Sequence, residues 1–366
     1  MPRKISPPEY VGFGMLTPVS IMVLEKLPKQ NTGAVVHEVN EFVFDDAAIV
    51  ACLLRQWNVP SAMIGTAVGD DVRGHALANQ LKEWGVQGTV RFTNEYKTPI
   101  EVNVSDKHGA RTYFWQRTPQ MLSTLDTADL SLVRGSKILY ADWYDGDHVL
   151  RAMDEANAQH VPVFVNLEHG HKKSEVLKKF ADRATICQAV TDAAQLGGKQ
   201  ALVGAARKLL KSGIQIAIIT LAKGGCLVAE GDEIVRVFAP SVKAVDACGA
   251  GATFSAGFIY GYLKGWNLES CARFATAAAT LKVTRAGLQM FPVKQIMELA
   301  ESLKVERWRF RNNRFEIMER IFSIPEQVAK QGKNAQDKFL REIHFPRKRK
   351  VDVFQHPHVR PKRKII

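Results

Sequence analysis

Val245-Asp246-Ala247-Cys248-Gly249-Ala250-Gly251-Ala252-Thr253-Phe254-Ser255-Ala256-Gly257-Phe258 is the stretch on which the fold turns. A strand-like run, Glu233 to Phe238, precedes it, and an apolar run with small residues at close-packing spacing, Phe254 to Leu263, follows it. Gly249-Ala250-Gly251 therefore falls where a loop becomes a helix. Small residues there let backbone amides approach an oxygen anion. The free N–H groups of the first helical turn, at the positive end of the helix dipole, then hold a phosphate. The same turn also reads as a plain helix start with no ligand.

Upstream, Tyr10 to Gly14 reads as a buried strand and Ser20 to Lys26 as a second one. Asp45 to Trp57 has helical spacing, with two carboxylates where they cap free amides. Ser61 to Gly74 is a strand, a glycine turn and a helix start, followed by an amphipathic helix from His75 to Trp84. Thr98 to Val104 and Arg111 to Trp115 alternate, and Asp106-Lys107-His108-Gly109 joins them as a hairpin. From Leu132 onward short apolar strands alternate with amphipathic helices as far as Leu221, the pattern of a parallel sheet. Together these predict an α/β fold with a doubly wound, mostly parallel central sheet flanked by helices.

The chain has 366 residues, 46% of them hydrophobic, enough for one large α/β domain and an appendage. The amino terminus lacks an apolar signal core and no long uncharged apolar run appears, so a soluble, cytoplasmic protein with no membrane contact is expected. Cys52, Cys187, Cys226, Cys248 and Cys271 are widely spaced in apolar surroundings, which predicts buried, reduced thiols. Cys248, at a helix start, is the candidate for a reactive one. The net charge is +13, from 50 Lys and Arg against 37 Asp and Glu. Eighteen of those basic residues and seven of the acidic ones lie between Lys304 and Ile366, so eleven of the thirteen charges belong to the tail. The expected division is a domain over 10–303 and a basic extension over 304–366, partly helical at Phe315 to Phe322 and partly disordered. The clusters Arg347-Lys348-Arg349-Lys350 and Pro361-Lys362-Arg363-Lys364 fit either a solubilising tail or a segment, 347–364, that binds nucleic acid or another polyanion.

The opening stretch resembles the signature Asp-Thr-x-Gly-Ala-Gly-Asp of the ribokinase-like (PfkB) carbohydrate kinases, and the resemblance runs from about Tyr10 to about Lys304. It implies ATP (or ADP) with Mg2+ as cofactors, with Asp246, Gly249, Ala250 and Gly251 at the phosphates. Ala222 and Gly225 stand at the two glycines of the nucleotide-side loop, and Thr284 to Gly287 in the region that packs the adenine ring. Glu168 and Asp192 are the candidate magnesium-shell residues, the second at the Glu of the family's Asn-x-x-Glu. It also implies a small β-sheet lid, from strands in about 33–44 and 88–117 including Val90 to Thr93, over a sugar-like or polyol ligand, and pairing of two copies through that lid. The sequence departs from the pattern where the chemistry is done. The family's catalytic base, the last Asp of the signature, is Ala252. Its sugar-gripping Asp is Val19, its Gly-Gly pair is Val43 and Phe44, and its final Asn is Ala48. The expectation is a nucleotide-binding pseudokinase. The alternatives are an active kinase for an unusual alcohol, with Asp45, Asp46 or Glu168 as base, and a nucleic-acid scaffold acting through the tail.

Overall fold

Short apolar runs closed by glycine or proline pair side by side, and the helices between them cover both faces of the resulting sheet. A computed structural model of the chain describes residues 6–191, 198–311 and 314–317. Tyr10–Gly14 (β1) is buried at every residue, whereas Thr17–Leu24 (β2) turns Thr17, Val19 and Ile21 inward. Val36–Phe44 (β3), Asp46–Gln56 (α1), Ser61–Gly65 (β4), Val68–Gly69 (β5) and Val72–Glu83 (α2) follow. Then come Phe92–Thr93 (β6), Glu101–Ser105 (β7), Arg111–Trp115 (β8) and Pro119–Ser123 (α3). The alternating part consists of Ile138–Asp142 (β9), Leu150–Ala158 (α4), Val163–Glu168 (β10), Ser174–Ala181 (α5), Ile186–Val190 (β11), Lys199–Lys211 (α6) and Ile216–Thr220 (β12). A hairpin of Cys226–Glu230 (β13) and Glu233–Val237 (β14) leads to Ala250–Leu263 (α7), Leu268–Lys282 (α8) and Val293–Ser302 (α9). Val305–Arg311 (β15) and Arg314–Ile317 (β16) complete the described chain.

The large sheet has the order β16-β15-β14-β13-β12-β11-β10-β9-β1-β4. Its pairings are parallel from β4 through β12 and antiparallel from there to β16. The chain leaves β1 toward β4 on one side and returns to β9 on the other. The crevice at the carboxyl ends of β1 and β9 is thus the switch point where open α/β sheets take their ligands. Ala152, Phe180 and Ala206, from α4, α5 and α6, cover one face over Val11, Leu139, Val163 and Ala217. On the other face Tyr140 stacks on Phe164 with ring centroids 5.4 Å apart, and Phe164 meets Phe258 of α7 at 6.5 Å. Ten consecutive residues of α7, Ala252 to Gly261, are buried, as a helix enclosed between α1, α8 and the sheet requires.

Three expectations are corrected. The lid is the four-stranded sheet β3-β2-β7-β8, so β2 belongs to it. Phe92–Thr93 does not: it pairs with Val68–Gly69, in a separate two-stranded sheet. The large sheet also does not end near 303. Val305-Glu306-Arg307-Trp308-Arg309-Phe310 alternates, so one face of the strand reaches the core, and Trp308 is buried there against the open edge of β14. The helix expected over Phe315 to Phe322 is, in its described part, the strand β16. An open edge offers backbone pairing immediately, whereas a short helix has to be nucleated first. Residues 318–366, with both basic clusters, lie outside the described residues, and the unit containing the sheets runs to Arg320.

Because Phe164 carries α7 on the sheet, Phe164→Ala is expected to cost about 3–5 kcal/mol in urea unfolding and Phe164→Leu distinctly less. Equal midpoints for the two variants would show that this aromatic layer does not set the helix.

Candidate functional site

α7 begins as the glycines predict. Gly249 sits in the left-handed region at φ 71°, a conformation that favours glycine, and Ala250 opens the helix. Cys248 N–H donates to Asp246 Oδ1 (2.9 Å), Ala250 N–H to Ala247 O (3.3 Å) and Thr253 N–H to Gly249 O (2.9 Å). The amides of Gly249, Gly251 and Ala252 have no acceptor among the described residues, and Gly251 is exposed. The first turn of α7 thus has three amides free to donate at the positive end of the helix dipole.

Asp246 does not face those amides. It is fully buried and accepts from Ser105 Oγ (2.7 Å), Lys282 Nζ (2.7 Å), the Cys248 amide and the Gly287 amide (3.1 Å). Its oxygens are committed to the protein, and its part is to fix the turn from beneath. Gly287, placed by sequence in the adenine region, lies instead between Asp246 and Asn40 of the lid strand β3. Cys248 is not activated: burial pushes its thiol up to about 12, outweighing the helix start. All five cysteines are free and buried.

Under the lid the surroundings are apolar. Val19, Ile21 and Phe42 meet Ile49, Cys248, Gly249 and Leu288 around a cavity of about 10 Å³, barely room for one water molecule. Val43 and Ala48 are fully buried, as is Ala252, the residue aligned with the last Asp of the signature. Phe44 ends β3, and its side chain lies outside the described residues, as does Asp192.

Beside this apolar plug is a set of carboxylates at the switch point, of which sequence singled out only Asp45, Asp46 and Glu168. Asp45 caps α1, accepting from the Asp46 amide (2.7 Å), Arg117 Nη2 (2.7 Å) and Tyr144 OH (2.7 Å). Asn166 Nδ2 donates to Asp46 Oδ2 (3.3 Å). Asp145 Oδ2 accepts from Met15 N–H (3.0 Å), and its other oxygen lies 3.6 Å from Arg117 Nη1. A Cβ on Gly14 would stand 2.6 Å from Asp145 Oδ2, so only glycine fits there. Asp142 is buried at the end of β9. The missed members share a signal: Asp142-Trp143-Tyr144-Asp145 puts polar side chains directly after a parallel strand. Burial first, and then neighbouring acids, hold the Asp46 and Asp142 carboxyls well above the usual range. Burial and Asp45 push Asp145 and Glu101 up to about 7. Glu168, half-buried at a bulge of β10, has a φ of 41°, and burial raises its carboxyl too.

The loop Ala222 to Gly225, expected on the nucleotide side, is held from inside. Arg236 donates to Gly224 O (2.6 Å) and Cys226 O (2.8 Å), a brace not evident in the sequence. Gly225 has φ 88°, and Ala222, at the position of the family's first glycine, has φ 46°, a conformation costly for a side-chain-bearing residue. Lys223 is exposed.

The described residues contain no cluster of acidic, His or Cys side chains fit to hold a metal directly, and no helix long and apolar enough to cross a membrane.

Two predictions follow from these groups. Asp145 and Glu101 bind their protons more tightly folded than unfolded. Their contribution is complete below about pH 4 and is lost as pH rises to about 7, by up to about 1.4 kcal/mol per pH unit for each group. Asp145→Asn and Glu101→Gln should flatten the fall in urea-unfolding stability between pH 4 and pH 7, and an unchanged slope would refute the assignment. Lys282→Met, which strands a buried carboxylate, should cost about 3–5 kcal/mol, with much of the loss recovered by adding Asp246→Asn. Additive losses in the double variant would contradict a direct pair.

Comparison with known proteins supplies the context. Residues 25–295 match the family model described as pfkB family carbohydrate kinase. An uncharacterized sugar kinase of Archaeoglobus fulgidus is 41% identical over 83 residues, which is 23% of this chain and only 33% of that protein. The ribokinase of Arabidopsis thaliana is 25% identical over 301 residues, 76% of this chain and 77% of that protein. The solved structure of Arabidopsis thaliana ribokinase complexed with ribose and ATP superposes with a TM-score of 0.65 at 20% identity, covering 81% of this chain and 99% of that one. That likeness establishes a ribokinase-like fold.

Proposed function

The chain belongs to the pfkB family of carbohydrate kinases, and from that premise we propose that it is a nucleotide-binding member that no longer transfers phosphate to a sugar. One observation carries the reading: Ala252, at the base position, is fully buried beside a lid whose apolar side chains leave a cavity of only about 10 Å³. Phosphoryl transfer requires positioning, charge neutralisation and a group that orients or deprotonates the nucleophile. The first is retained in part. The amides of Gly249, Gly251 and Ala252 and the dipole of α7 suit the phosphates of ATP or ADP, and Ala222 to Gly225 form the adjoining loop. Mg2+ bound with the nucleotide would supply the neutralising charge, with Glu168 and Asp192 as candidates to order its water shell.

The third requirement is missing. A methyl accepts no proton, and a general base is worth roughly 10²–10⁴ in rate. The sugar side is changed independently. Val19, Val43 and Ala48 donate and accept nothing through their side chains, and burying a sugar's hydroxyls against them would leave those groups unpaired. Asp45, Asp46 and Glu168 are the candidate substitutes for the base, but Asp45 is engaged by Arg117 and Tyr144, and the raised pKa values of Asp46 and Glu168 disfavour the ionised form a base needs.

Calorimetric titration should show binding of ATP·Mg and ADP·Mg, while an ADP-release assay across sugars and nucleosides shows no substrate-dependent turnover. Ala252→Asp should remain inactive, because the groups that grip a sugar are absent as well. Turnover in the natural sequence that disappears with Asp46→Asn or Glu168→Gln would replace this reading with that of an active kinase.

A further inference from the structure

The loop between β12 and β13 is held by one buried cation. Arg236 belongs to β14, and its guanidinium gathers carbonyls from three places: Nη1 donates to Cys226 O (2.8 Å) and to Val237 O, and Nη2 to Gly224 O (2.6 Å). The loop, the first residue of β13 and the last of β14 thus share one planar fork of donors. The ring of Phe238 lies beside the guanidinium, with its centroid 4.3 Å from Cζ. Among the described residues no carboxylate is within ion-pair distance of Arg236, because Glu306, opposite it on β15, pairs with Lys304. Gly225 closes the loop where a Cβ would lie 2.3 Å from Val237 O, and Ala222 is kept at a φ of 46°. An alanine prefers negative φ, so contacts from outside the loop maintain that shape.

We propose that Arg236 is the positioning residue that holds the loop Ala222 to Gly225 in the shape that receives the nucleoside part of a bound nucleotide, while the amides at the start of α7 take its phosphates. The inference rests on the reading of the chain as nucleotide-binding. A guanidinium that donates to three carbonyls fixes their mutual orientation, whereas an ammonium is a point charge with no such plane. Without it the carbonyls lose a common donor and Ala222 is released toward negative φ. The turn before α7 is fixed separately, through Asp246, and keeps its form. Arg236 therefore governs one half of the ligand and leaves the other untouched.

The test is calorimetry on the full chain with ADP·Mg and pyrophosphate·Mg, for the natural sequence, Arg236→Met and Arg236→Lys. The natural protein is expected to bind ADP about ten-fold or more tightly than pyrophosphate. Arg236→Met should weaken ADP about ten-fold and leave pyrophosphate within about two-fold, and Arg236→Lys should weaken ADP less. Without ligand, trypsin cleavage after the exposed Lys223 should quicken about five-fold in Arg236→Met, while cleavage after Lys107 in the lid hairpin keeps its rate. Arg236→Lys retains the buried cation and decides the matter should the methionine variant not fold, since its loss of ADP affinity must again spare pyrophosphate. Equal losses for both ligands, faster cleavage at both sites, unchanged ADP binding in the variants, or natural ADP binding no tighter than pyrophosphate would each overturn the inference and leave the phosphate seat standing. If neither ligand binds the natural protein, the seat fails and the inference with it.

Discussion

Asp246 is the carboxylate on which four parts of the molecule converge. It takes a proton donor from the lid (Ser105), from the last turn of α8 (Lys282), from the anion turn (Cys248 N–H) and from the loop after α8 (Gly287 N–H). A buried charge survives only when its lone pairs are filled and a counter-ion is at hand, and both conditions are met here within about one hydrogen-bond length. The consequence is mechanical. The turn cannot shift without unpairing a buried charge, so its free amides keep one orientation whether or not a ligand occupies them. Such preorganisation lets backbone dipoles bind an anion without first paying to arrange themselves.

The switch point is arranged on a different principle. Asp45, Asp142 and Asp145 converge there with Arg117 and Tyr144, and Asp46 and Glu168 flank them. Arg117 is within ion-pair distance of Asp45 and Asp145. Carboxylates in excess of cations in a dry region cannot all ionise, which is why burial and mutual repulsion act together on Asp46 and Asp142. The same crowding explains why these acids make a poor reservoir of base at neutral pH. Asn166 donates to Asp46, Tyr144 to Asp45 and the Met15 amide to Asp145, so the network is held by hydrogen bonds as well as by Arg117.

Much of the framework was legible because it depends on local pattern. The loop-to-helix step at Gly249 was fixed by residues within one turn, and the alternation from Lys137 to Leu221 by strand-length apolar runs. β15 was not read as a strand although Val305 to Phe310 alternates, because the surrounding arginines resemble a solvated tail. What buries Trp308 is the free edge of β14, far away in sequence. The apolar lining of the lid could be read from residue types at Val19, Val43 and Ala48, since losing a polar group is visible at a single position. The acid network could not. Asp45, Arg117 and Asp145 come from separate elements, and only the folded chain puts them in contact. The glycine at position 14 is explained only by an aspartate 131 residues later.

A lid that closes over a substrate normally derives its closed state from that substrate. Here Ser105, Arg111 and the hairpin tip hold the lid to the turn, and the apolar side chains of Val19, Ile21 and Phe42 line the small cavity beneath it. A nucleotide shifts the lid only through groups that meet it differently in the open and shut forms. Buried apolar side chains contact no phosphate in either form, so the differential must come from polar groups at the turn. In the proposed reading, loss of phosphoryl transfer and retention of nucleotide binding do not conflict, because they draw on separate residues. In that reading transfer would need a base at position 252 and polar side chains at 19, 43 and 48, whereas binding would need only the amides at the α7 start.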